Sequence, residues 1–448
     1  MVGFLVALCF LSAYFAFNLS LFDSGKRIFT VILLFLIVFY DFIFIPIESY
    51  FTDTTYFIAK AWREYLVVFL SILLFFHIVI TGKIYSKGFE IKLLIVIGII
   101  SIAGIISGII HGYTFFSIVM SWRDYFLPIL IAFLLYKVGI FKSLDITTLK
   151  ITLLIFSVII VVYGSYQYFY FDGDYTQLWS YEFIYRGKVE KFQQDPRFVQ
   201  YTFIRDGNLR SSSVFVSPIE YGLFLVVPAL FCFNKIISKS TFPIRVFYIL
   251  FFVVLIIGIY TTQVRASFVA LGIAIISCIA IRFIKKMNFA LLIIFPLLLV
   301  GLTFFLIIYG FSAVEDTSAL GRIVQYAKAP GLFEFAGMGL GVSVAESAFD
   351  SWYLSSMAVF GVFGLIYFYL TLSIFKYLYT LRIQSLSIRL PNDFVCLLYT
   401  VIGYFCAYIY IFAFHYSVAS AQLLLLYILT FLMIAKLQVR LFEETNEA

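Results

Sequence analysis

The chain reads as an all-α, polytopic integral membrane protein, and three observations carry that reading. Hydrophobic residues make up 63% of its 448 positions and charged residues only 12%. Its mean hydropathy is +1.06, more apolar than any water-soluble domain can bury. Apolar runs of about 17–23 residues, the length a helix needs to cross the hydrocarbon core, recur from end to end. In lipid a backbone must satisfy its own hydrogen bonds, so runs of this length cross as helices. The expectation is a single transmembrane domain over residues 1–448, with about 12–13 transmembrane helices and two long extracytoplasmic loops.

In order, the spans fall at Val2–Leu21, Ile28–Ile47, Tyr65–Thr81, Leu93–Ile110, Tyr125–Phe141, Ile151–Phe171, Val216–Phe233, Val246–Tyr260, Ala266–Ile281, Phe289–Phe311, Trp352–Phe375, Phe394–Phe412 and Ala419–Ala435. Polar or charged residues break one run from the next. Between the last two only Ala413–Val418 intervenes, a tight turn or a continuous bent helix. The first run has no basic residues before it and no small-residue cleavage site after it, so it reads as a retained span.

Lysine and arginine sort the loops onto two faces. One set of loops holds 19 of these cations and the alternate set six, leaving aside the long 172–215 loop. Positively charged loops stay inside, so the lysine-rich face is cytoplasmic. The formal net charge is +7. Its cations are scattered and form no stripe, which argues against nucleic-acid binding. Cys9, Cys232, Cys278, Cys396 and Cys406 all sit in apolar runs with no CxxC or histidine neighbour, so no metal site and no disulfide framework are expected.

Two extracytoplasmic loops result, 172–215 and 312–351, and loops of that length are usually functional or disordered. The first carries equal numbers of acidic and basic residues and is rich in tyrosine. Such rings suit both the headgroup belt and the apolar faces of sugars.

Five residues are candidates for chemistry. Arg265, in Thr262-Gln-Val-Arg-Ala-Ser267, and Arg210, at the head of Arg210-Ser-Ser-Ser-Val-Phe-Val-Ser-Pro218, stand at span edges on the cation-poor outer face. A guanidinium there is either a snorkelling anchor or a ligand for phosphate. The neighbouring serines and threonines would complete an oxyanion cradle. Arg322 is a third cation, a phosphate ligand or a plain surface charge. Glu346 and Asp350 are four residues apart, on one face of any helix that includes both. Each is a candidate general base, and Asp350 or Ser351 also suits the N-cap of the next helix. The Gly337-Met-Gly-Leu-Gly341 run follows no strand and lies away from cytoplasmic nucleotides, so its glycines serve sharp turns. Arg123 and Asp124 read as an ion pair just before a span.

The Arg210–Pro218 segment, the Thr262–Ser267 helix start, Gly321-Arg322, the Gly337–Gly341 run and Asp350-Ser-Trp-Tyr-Leu354 with Gly361 occur in an order that resembles the O-antigen polymerase and ligase superfamily of bacterial envelope glycosyltransferases. The resemblance covers roughly the C-terminal half. It implies a multi-pass protein of the bacterial inner (cytoplasmic) membrane. There, a metal-independent glycosyltransferase without cofactor moves a glycan from undecaprenyl diphosphate to an acceptor sugar at the outer face. Arg210, Arg265 and Arg322 would then hold the donor diphosphate, and Asp350 or Glu346 would act as base. Asp350 stands where the ligases carry histidine, which favours a polymerase of O-antigen, capsule or exopolysaccharide. The alternatives are a ligase to a lipid acceptor and a polysaccharide flippase. The implied partners are the lipid-linked oligosaccharide, membrane lipid and a chain-length regulator.

Overall fold

The computed structural model describes residues 23–48, 62–81, 88–171, 174–181, 203–205, 207–239, 241–309, 324–327, 334–342, 351–415 and 421–447. The protein is all-α and multi-pass. The helices are α1 (Asp23–Glu48), α2 (Trp62–Thr81), α3 (Gly88–Ile110), α4 (Phe115–Lys137), α5 (Ile146–Phe169), α6 (Pro218–Ile236), α7 (Phe242–Thr261), α8 (Arg265–Phe283), α9 (Phe289–Tyr309), α10 (Trp352–Phe360), α11 (Phe363–Gln384), α12 (Asn392–Phe414) and α13 (Ala421–Glu447). Among the described residues ten helices are long and apolar enough to cross a membrane. The helices α1 and α2 occupy two further predicted span positions. The first predicted span, Val2–Leu21, lies outside the described residues.

Burial sorts the spans into layers. The apolar windows of α6, α12 and α13 are 78%, 89% and 83% buried, while those of α7 and α9 are 22% and 11%. The first three form the centre, and the last two present valine, leucine and phenylalanine outward, the surface a bilayer covers. Small residues let the central helices close up, as packing inside lipid requires. A side chain at Gly403 of α12 would meet Cys278 Sγ at 2.6 Å and Ala274 O at 2.8 Å on α8. Beside this crossing the buried Asn234 of α6 donates to Leu230 O at 3.1 Å and Thr400 Oγ1 at 3.2 Å. One amide thereby ties α6 to α12.

The ends assigned to one face by charge meet in space. Lys137 at the end of α4 pairs with Glu90 at the start of α3, 2.7 Å apart. Asp393, at the start of α12, accepts from Lys150 of α5 at 2.6 Å and also from Lys235 of α6. Arg382 near the end of α11 donates to Ile281 O at 2.9 Å and to Lys285 O, at and beyond the end of α8.

Two span predictions need correction. Tyr125–Phe141 starts ten residues too late. Helix α4 begins at Phe115, capped by Thr114, whose side chain accepts from Ser117 N. The Arg123–Asp124 pair therefore lies inside the helix, at 3.3 Å, with Glu64 of α2 adding a second carboxylate at 3.2 Å. Charge read as a boundary is instead neutralised between packed helices. The predicted span Trp352–Phe375 is two helices. It breaks at Gly361, where φ is +55°, a backbone region that disfavours any residue with a Cβ.

The Gly337–Gly341 run explains that break. Its three glycines have φ of +71°, +89° and +110°. The run packs between α3 and the α10–α11 junction, with the Leu340 side chain buried against Gly104. Leu340 N donates to Gly104 O at 2.8 Å, Met338 N to Ala358 O at 2.8 Å, and Gly339 N to Val359 O at 2.9 Å. Ser107 Oγ of α3 bonds Gly337 O. Irregular backbone at this depth is tolerated only where protein surrounds it. Above it, His111 Nε2 meets Glu334 Oε2 at 3.0 Å.

Candidate functional site

On the face opposite the lysine-rich end, the turn between α7 and α8 collects arginines. Helix α7 ends at Thr261, and Gln263 takes φ +53°, the left-handed value that stops a helix. Helix α8 then starts at Arg265. A stopped helix leaves its last carbonyls without partners in its own backbone. Here the segment around Arg210 supplies donors to three in a row. Ser211 N donates to Thr261 O at 3.0 Å. Arg210 Nε donates to Thr262 O at 3.3 Å. Arg205 Nη1 donates to Gln263 O at 3.1 Å.

A two-stranded hairpin aims those donors. β1 (Ile204–Arg205) and β2 (Asn208–Leu209) pair antiparallel around a turn with Gly207 at φ +79°. Arg210 N then closes onto Phe203 O at 2.7 Å. A small aromatic core anchors the hairpin: Tyr175 stacks on Phe203 at 6.2 Å, and Tyr181 meets it edge-on. Those tyrosines hold the loop together.

Arg210 therefore docks on the turn that leads into Arg265, bonded three residues before it. Arg210 is half-buried and Arg265 exposed. A guanidinium carries five donors in a rigid fork, and a bond to a carbonyl orients it. The helix C-terminus beneath carries partial negative charge, which favours cations there.

The neighbouring hydroxyls do not form the expected cradle. Ser211, Ser212 and Ser213 are fully buried and bonded inward. Ser211 Oγ donates to Gln167 Oε1 at 2.9 Å, Ser213 Oγ to Ile160 O at 2.7 Å, and Ser212 Oγ lies 2.9 Å from Ser180 Oγ. Thr261 and Thr262 return their hydroxyls to Gly258 O and Ile259 O. These side chains fix the loop.

Arg322, Glu346 and Asp350 lie outside the described residues. The cap question between Asp350 and Ser351 is answered nearby. Ser351 is the N-cap of α10, its hydroxyl accepting from Leu354 N at 3.4 Å. Tyr326 donates to Ala413 O at 2.7 Å and lies 2.9 Å from Ser351 Oγ, clamping the outer loop to the end of α12.

Arg205 is the residue the sequence reading passed over. It was one of six balanced loop cations. Its signal was the Arg205-Asp-Gly-Asn208 turn, since Asp-Gly marks a tight hairpin that would carry Arg205 back toward Arg210.

Comparison with protein-family models and with curated proteins gives no match.

Proposed function

We propose that this protein polymerises a cell-surface polysaccharide. A glycan on a polyprenyl diphosphate is moved to a hydroxyl of another lipid-linked unit at the face opposite the lysine-rich end. One observation carries the reading: Arg205 and Arg210 are bonded to the turn between α7 and α8, and Arg265 opens the helix that follows that turn, on the cation-poor face. Planar guanidiniums pair bidentately with phosphate. Held in place beforehand, they would stabilise the charge that grows on the lipid diphosphate as it leaves, with no reorganisation during the step. Arg322 is assigned to the same anion. Asp350, with Glu346 as the alternative, is assigned as the base that takes the acceptor proton. Neither metal nor cofactor enters this scheme.

The test is a lipid-glycan gel from cells that depend on this protein. Arg210→Ala and Arg265→Ala should each leave single-repeat product while the protein still inserts. Long-chain glycan in either variant removes the phosphate role. Asp350→Asn tests the base, and normal polymer in that variant assigns the proton transfer elsewhere. Glycan found on an acceptor lipid instead of on lipid diphosphate would convert the reading to a ligase.

A further inference from the structure

Resting on that reading, we propose that the groove between α5 and α7, directly beneath the arginine-bearing turn, holds the isoprenoid chain of the lipid diphosphate. The groove encloses about 430 Å³ and is lined by Val161, Val162, Ser165, Tyr166, Val254 and Ile257, with Tyr170 at its rim. It arises from how the two helices cross. A Cβ at Gly258 of α7 would meet Val161 Cγ2 at 2.6 Å and Leu225 Cδ1 at 2.7 Å, so the Val161 side chain of α5 packs directly onto the α7 backbone there. Helices that touch at one point diverge on either side of it, and the gap here opens toward lipid. Val162, Tyr166 and Ile257 on its walls are exposed.

Walls this apolar do not hold water, which needs polar partners. The occupant is a hydrocarbon chain, and the residues above the groove say which one. Tyr168, between the liners Tyr166 and Tyr170, accepts from Gln263 Nε2 at 3.1 Å and meets Tyr260 edge-on at 5.9 Å. Gln263 O in turn accepts from Arg205. Groove and guanidiniums are thus joined through two residues. Ile257 lies four residues before the end of α7, about 6 Å below it, and Val254 about 10 Å below. A chain in the groove would place its phosphate at the arginines without leaving the outer leaflet. Cations above and a single apolar slot below complement an anionic head on one long chain. A glycerophospholipid would leave its second chain outside.

The experiment places a photoreactive amino acid at Ile257 in the full-length protein. A control carries it at Leu250, also exposed and two turns deeper on the same face of α7. Membranes receive radiolabelled undecaprenyl diphosphate with a large excess of phosphatidylglycerol. Ile257 should capture the polyprenyl probe over Leu250 by about tenfold, the factor that two buried methylenes supply. Equal capture at the two positions, or capture of phosphatidylglycerol in proportion to its abundance, overturns the proposal. Filling the slot with Val254→Trp should lower capture at Ile257 by a similar factor, and unchanged capture counts against it. The two readings fail separately. Selective capture alongside normal polymer in Arg210→Ala keeps the groove and removes the phosphate role of the arginine. Unselective capture alongside lost polymer does the reverse.

Discussion

Arg382 and Arg210 do the same local job at opposite faces of the molecule, and their surroundings differ. Each gives its guanidinium to peptide carbonyls at the end of a helix. Arg382 is 1% exposed, bonds two carbonyls and lies about halfway between the rings of Tyr379 and Tyr399, 5.5 and 5.7 Å from their centroids. Arg210 is half-buried on a hairpin that faces out. A capping arginine sealed by aromatic rings is part of the fold. Arg210 instead stays half-buried at the rim of the turn, beside Arg205, which bonds the same turn. At the lysine-rich face Asp393 and Glu90 pair with lysines.

The sharpest way to break this comparison is Arg382→Ala. It strands the buried Ile281 carbonyl, frees that of the exposed Lys285 and removes two ring contacts, a loss of about 3 kcal/mol. Thermal unfolding in detergent should show a large drop, whereas Arg210→Ala should melt close to the parent and lose only polymer. Equal melting of the two variants would erase the distinction. Gly339→Ala comes next. At φ +89° an added methyl runs into the backbone of Gly108, and strain of this kind costs about 2–3 kcal/mol. Faster protease cleavage of the outer segment would report it, and an unchanged digestion pattern would mean the glycines are dispensable.

Asp393→Ala tests the lysine-rich face. It leaves Lys150 and Lys235 without their shared partner, a loss of about 2 kcal/mol once the 32% exposure of the carboxylate is allowed for. Polymer made per folded molecule should not change, and a fall in that ratio would extend the working site across the membrane. The smallest effect belongs to Asp145→Ala, about 1 kcal/mol for a lost helix cap. Burial pushes the Asp145 carboxyl up, but the Thr148 hydroxyl, the N–H groups of Thr147 and Thr148 and the nearby Arg27 outweigh it and hold the pKa below its usual value. A depressed folded pKa stabilises fully above the unfolded pKa and is lost as pH falls through the folded one. The gap between parent and variant should therefore close below about pH 4, and a gap that persists in acid would assign the cap to something other than the charge.

Sequence alone determined what depends on local chemistry. Span length follows from hydropathy, and the two faces follow from where lysine and arginine fall, because bilayer and charge act on each segment without reference to its partners. The start of α8 at Arg265 was legible for the same reason. Tertiary structure decided everything that needed a distance between remote residues. Gln167 lies more than forty residues from the serines it binds, and only folding turned their hydroxyls inward, away from any anion. Arg205 joined the site because a hairpin carried it to Gln263, 58 residues on. The glycine run could close on α3 because Gly104 leaves room for the side chains of Leu340 and Phe360, and Gly108 for the Leu340 carbonyl.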